Sequence, residues 1–194
     1  MKINKLLTIA AIMLGLTATV FAANTRVVWE AETGKIENGN SFRVEKYKKD
    51  PSGKVSGTTE KNVLAIAKLP AGQKIKPDSA SYNINIPEDG VYYLHVRALW
   101  STGCGNSVGI KVSGYEGANW KVTSSTYDTL HWMAVQESVG VLKPLRLKKG
   151  VSTITLVALE SGIKVDQLIL TTDKEFKPAG IYKVTPDAVV ADKK

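Results

Sequence analysis

From residue 24 onward, apolar residues fall in short runs, several of them alternating with polar ones, and Gly, Pro, Asn, Asp and Ser cluster between the runs. That spacing predicts strands rather than helices, and an all-β sandwich as their sum. Val27-Val28-Trp29-Glu30-Ala31-Glu32 opens the series, with Trp29 and Ala31 on one face and Glu30 and Glu32 on the other. A strand is expected over Phe42 to Tyr47, then a turn at Asp50-Pro51-Ser52-Gly53. Val63 to Ala67 is a continuous apolar run and reads as a buried strand. Tyr82, Ile84 and Ile86 alternate with Asn83 and Asn85, which predicts a half-buried strand with one wet face. The Pro87-Glu88-Asp89-Gly90 turn that follows predicts a hairpin with the Tyr- and Val-rich strand from Val91 to Leu99. Further strands are expected over Val108 to Val112, His131 to Val135, Val141 to Leu147 and Ser152 to Leu159, while Tyr115 to Asp128 reads as a polar loop.

The last strand, Gly162 to Thr172, carries Asp166 among Val165, Leu168, Ile169 and Leu170. A carboxylate in such company must be hydrogen-bonded, paired or bound to a metal, because an unpaired buried charge is too costly. Pairing the first strand with the last would gather Glu30, Glu32 and Asp166. Three acids together need a cation among them, and an all-oxygen set suits a hard ion such as calcium.

Ahead of the strands, Lys2 and Lys5 precede an apolar run from Leu6 to Phe21 closed by small residues. This is the pattern of a secretory signal, with cleavage expected after Ala22 or Ala23. The run is short for a bilayer span and broken by Thr17 and Thr19, so membrane insertion is not expected. The expected organisation is a signal over residues 1–22, one domain over 23–182 and a loose tail over 183–194. The formal charge of +8 becomes +6 without Lys2 and Lys5. A basic exported protein favours anionic partners, yet the lysines are scattered and no nucleic-acid motif accompanies them. Cys104 is the only cysteine, so no disulfide framework is available.

Catalysis finds little support in the pattern. His95 lies mid-strand, His131 opens a strand beside Trp132, and neither forms a Cys-His signature with Cys104. No His-Glu-x-x-His pattern or nucleotide loop is present, so the reading is a protein without enzymatic activity. Sugar binding asks for an aromatic platform and amide or charged partners for hydroxyls. Trp100, Asn106, Trp120, Tyr127 and His131 are the candidates, with Asn119 near them, whereas Trp29 and Trp132 read as core residues.

Taken in order, several of these motifs resemble carbohydrate-binding modules of the family 6 and 35 type. They are the opening Glu30-Ala31-Glu32, Gly90 to Trp100 followed by Gly105-Asn106-Ser107-Val108, Trp132 through Gly150 to Leu156, and the closing Val165-Asp166-Gln167-Leu168 with Thr171-Thr172-Asp173. The resemblance spans nearly all of the chain after the signal. It implies a galactose-binding-like, jelly-roll β-sandwich, a structural calcium near the first strand and a polysaccharide or glycan partner met by loops at one edge. Two positions depart from it: the turn Glu160 to Lys164 lacks the usual Asn, and Leu130 stands where some relatives carry an aromatic. A second expectation is therefore a structural or adhesive surface protein that keeps the sandwich without the sugar site.

Overall fold

A computed structural model describes residues 24–47, 61–70, 72–178 and 183–184. The expected signal, the turn at residues 50–53 and most of the expected tail lie outside the described residues. Apart from one 3-10 turn at Ala31–Thr33, all regular structure is strand, in fourteen pieces among the described residues. These are β1 (Arg26–Glu30), β2 (Lys35–Ile36), β3 (Phe42–Tyr47), β4 (Lys61–Ile66), β5 (Ser79–Ile86), β6 (Gly90–Trp100) and β7 (Ser107–Val112). They continue as β8 (Trp120–Thr123), β9 (His131–Ala134), β10 (Gln136–Ser138), β11 (Val141–Leu142), β12 (Leu145–Leu147), β13 (Gly150–Val157) and β14 (Ile163–Thr171). The all-β expectation holds.

Two antiparallel sheets face each other. One runs β2-β5-β13-β7-β8; the other is centred on β14, with β6 along one side and β4 and β1 end to end along the other. Beyond β6 lie β12 and β9, and beyond β4 lies β3. The alternating residues of β5 (Tyr82, Ile84, Ile86) and β13 (Ile154, Leu156) form one core with Tyr92, Leu94, Val96 and Trp100 of β6 and Leu168 and Leu170 of β14. Removing these side chains from water stabilises the fold by about 1.5–3 kcal/mol each.

The predicted hairpin between Tyr82 and Leu99 does not form. β5 pairs with β13 and β2, whereas β6 pairs with β14, β12 and β9, so the two strands lie in opposite sheets. Their apolar faces bury each other across the sandwich instead of edge to edge. The turn at residues 87–89 carries the chain over, and Asp89 anchors it by accepting the Lys149 N–H at 2.8 Å. The expected strand from Val141 to Leu147 is cut into β11 and β12 around Pro144, which has no N–H to give a ladder. Trp120 is not in a loop: it starts β8, which pairs with the edge of β7.

Alternation also fails at both ends of the acid pair. β1 stops at Glu30, where Ala31–Thr33 turns the chain toward β2 in the other sheet. Tyr82 holds this turn by donating its hydroxyl to the Ala31 carbonyl at 2.7 Å. In β14 the register shifts between Val165 and Gln167, leaving Asp166 as the extra residue of a bulge. That is why Val165 and Leu168, three apart, face the same core. The bulge sits where β14 leaves β4 and meets β1.

Candidate functional site

Three places gather the residues that chemistry could use. At the seam between β4 and β1, Asp166 is fully buried and Glu30 ends the neighbouring strand opposite Gln167. Arg97 of β6, also buried, donates to Asp166 Oδ2. Lys183, at the start of the expected tail, reaches back to bond Glu30 Oε2 and stands 3.1 Å from Asp166 Oδ1. Gln167 completes the seam with its amide, donating to Glu30 Oε1 at 3.0 Å and to the Val184 carbonyl at 3.0 Å, while its oxygen accepts the Val184 N–H at 2.9 Å. Lys183 and Val184 are therefore docked, and the looseness expected from residue 183 does not begin there.

Glu32 lies beside this group with Oε2 buried and without a hydrogen-bond partner. Burial pushes its carboxyl above the ordinary value, and the nearby Glu30 and Asp166 charges push the same way. Burial works against the Lys183 ammonium, but Asp166 and Glu30 outweigh it and hold its pKa above the ordinary lysine value. Glu30 and Asp166 share Lys183, and Glu32 is near enough to feel the charge of both.

The loop end of β6 holds four of the five predicted ligand residues. Trp100 is fully buried in the core, so it offers no platform; its edge meets His131 at 6.5 Å between ring centroids. His131 is engaged at both ring nitrogens, Nδ1 with the Thr129 carbonyl and Nε2 with Ser124 Oγ, each at 2.8 Å. A carbonyl only accepts, so Nδ1 carries a proton. Asn106 is tied by its backbone N–H to Glu160 Oε2 at 2.7 Å and its Nδ2 lies 3.4 Å from the Ser124 carbonyl. Tyr127 stays exposed above Gly103. The loop is sealed onto the turn before β14: a Cβ on Gly105 would run into the Ser161 carbonyl oxygen, and Ser101 donates to the Gly162 carbonyl at 2.7 Å. Gly162 itself has φ +78°, a left-handed position that favours glycine.

Trp120 is absent from that end. It lies at the far end of β8, half-buried, edge to face with Tyr115 at 5.2 Å and with Lys143 Nζ 5.5 Å from its ring centroid. Tyr115 in turn lines a pocket of about 460 Å³ between the loop at 113–119 and the outer face of β7 and β13. Lys111, Ser113, Glu116, Asn119, Thr153 and Thr155 share the lining. The polar row continues across the sheet, with Thr153 Oγ1 donating to Asn83 Oδ1 at 3.0 Å and Ser81 and Thr155 hydroxyls 3.2 Å apart. An aromatic ring, an amide and a field of hydroxyls make a surface suited to a polyhydroxylated ligand.

Sequence reasoning missed Tyr115, Lys111, Thr153 and Thr155, although the wet alternation at Asn83 and Asn85 marked this sheet face. It also missed Arg97 and Lys183, whose only signal was the buried acid that each had to answer. Among the described residues no group of three His, Cys, Asp or Glu side chains is arranged to hold a metal ion, and no helix is long and apolar enough to cross a membrane. His95, mid-strand in β6, is buried with Nε2 lacking a hydrogen-bond partner.

No family model matches the chain, and no curated protein matches it. Solved structures do. A GH26-CBM35 β-(1,4)-mannanase from Podospora anserina superposes with a TM-score of 0.53 at 18% identity, over 79% of this chain and 29% of that one. A family 35 carbohydrate binding module from Clostridium thermocellum superposes with a TM-score of 0.50 at 20% identity, over 75% of this chain and 97% of the module. The chain thus spans under a third of the mannanase and nearly the whole of the module. The fold is a β-sandwich similar to that of the family 35 carbohydrate binding module.

Proposed function

We propose that this is an exported, non-catalytic carbohydrate-binding protein whose ligand lies in the Tyr115 pocket on the outer face of the five-stranded sheet. The observation that carries the reading is the lining of that pocket: Tyr115 backed by Trp120, Asn119, and the hydroxyls of Ser113, Thr153 and Thr155. The ring gives a sugar's C–H face an apolar partner, and the amide and hydroxyls can exchange hydrogen bonds with its own hydroxyls. Lys111 and Glu116 add one charge of each sign, so the lining itself selects neither an acidic nor a basic sugar. Export rests on the signal pattern of residues 1–22, and the solved module with the same fold adds to the case for a glycan partner.

The rival is a surface protein that keeps the sandwich and binds no sugar. It is favoured by one observation: the loop end that resembles the usual ligand edge is closed, with Trp100 in the core and Gly105 against Ser161. A glycan and polysaccharide array of the protein purified without residues 1–22 separates the two. Reproducible binding to a glycan class supports the proposal. A folded protein that binds nothing on the array sinks it and leaves the scaffold.

A further inference from the structure

We infer that Lys183 is the built-in cation of the acid seam, so that this sandwich joins its first strand to its last without a metal ion. Each of the four carboxylate oxygens of Asp166 and Glu30 faces a donor or a cation of the chain itself. Asp166 Oδ2 receives Arg97 and Glu30 Oε1 receives the Gln167 amide, while Asp166 Oδ1 and Glu30 Oε2 both face Lys183 Nζ. Calcium takes about 6–8 oxygen ligands at about 2.3–2.6 Å, and an ammonium between the two carboxylates stands where it would have to sit. Glu32 Oε2 is left without a hydrogen-bond partner, and Asp166 Oδ1 meets Lys183 as an ion pair rather than as a hydrogen bond. The residues as arranged do not fit a calcium ion.

Position as well as charge marks Lys183. Gln167 grips Val184 through both its N–H and its carbonyl, as a neighbouring strand would, and the same amide nitrogen reaches Glu30. One side chain of β14 therefore orients the lysine and the acid it neutralises. Residues 183–184 act as a strap across the junction of β1 and β14. The inference is independent of where a sugar binds.

The test is thermal melting of the full chain and its variants, with added calcium chloride or with a chelator, alongside calorimetric titration with calcium. The unaltered protein is expected to melt at the same temperature in both solutions and to give no binding heat. Lys183→Met leaves Glu30 and Asp166 short of a cation and is expected to lower the melting temperature by roughly 5 °C or more. Glu30→Gln with Lys183→Met removes the stranded charge as well, so the double variant is expected to melt above Lys183→Met alone. That comparison with the calcium titration stays decisive even if Lys183→Met fails to fold. A chelator-sensitive melting temperature in the unaltered protein, stoichiometric calcium binding, an unchanged Lys183→Met, or a double variant no better than the single would each overturn the inference.

Discussion

Trp100 meets His131 at nearly a right angle, 87° between ring planes, with the tryptophan sealed in the core and the histidine half-covered above it. This pair decides the role of the loop end. A tryptophan that fills the sandwich cannot also lie under a sugar. Trp100→Ala is expected to cost about 3–5 kcal/mol of stability, the usual cost of emptying a large aromatic site, measured by denaturant unfolding. A loss within error of zero would return Trp100 to the surface.

The loop beside it depends on close backbone approach. Gly105→Ala places a Cβ against the Ser161 carbonyl oxygen, and one of the two segments must move. Overpacking of this kind costs about 1–3 kcal/mol. A melting temperature equal to that of the unaltered protein would show that the two loops are not in contact.

Asp78 holds a different junction. Its buried carboxylate accepts the backbone N–H groups of Asn38 (3.2 Å), Ser41 (2.8 Å), Phe42 (2.8 Å) and Ser79 (2.9 Å). Burial alone would raise its pKa, but the four donors outweigh it and hold the carboxyl below the ordinary value. Asp78→Ala strands these donors and is expected to cost about 3 kcal/mol, with β3 losing amide-exchange protection first. Full protection of β3 in the variant would contradict this.

His95 makes stability depend on pH. Burial depresses its imidazole to about 4 from 6.5, and Phe176 covers it edge-on at 5.6 Å. In the unfolded chain the ring takes a proton near pH 6.5, while the folded protein refuses it until about 4. The unfolded state then binds more protons, so the His95 contribution is complete above pH 6.5 and falls away as pH drops toward 4. Glu32, with its raised pKa, works the other way over part of that range. The difference in unfolding free energy between the unaltered protein and His95→Phe isolates the histidine. It is expected to shift against the unaltered protein by about 3 kcal/mol from pH 7 to 4. A difference flat with pH would contradict the burial argument.

Much of this fold is legible in the sequence because period-two alternation survives in the strands that face one core. The pattern bounds Phe42–Tyr47 as the structure has it, and the apolar residues locate β5, β6, β7 and β13. Alternation says which face is buried but not which strand lies alongside, so it does not distinguish a hairpin at residues 87–90 from a crossing between sheets. The bulge at Asp166 and the turn after Glu30 were illegible for a related reason: both are places where tertiary pairing ends a local pattern. The acid cluster could be foreseen from Asp166 alone, since a buried carboxylate demands a partner. Its cation could not, because Lys183 is one lysine among many until the chain folds back. Trp100 showed the same limit: a tryptophan at a strand end looks the same in sequence whether it caps a core or floors a groove.

The most direct measurement is calorimetric titration of the best-binding polysaccharide into the unaltered protein, Tyr115→Ala and Tyr127→Ala. Both residues are tyrosines, but they lie at different ends of the five-stranded sheet, one lining the pocket and one exposed over the sealed loop. Tyr115→Ala is expected to weaken binding about tenfold or more, and Tyr127→Ala to leave it unchanged. Loss in Tyr127→Ala with full binding in Tyr115→Ala would contradict the pocket and put the ligand back at the loops.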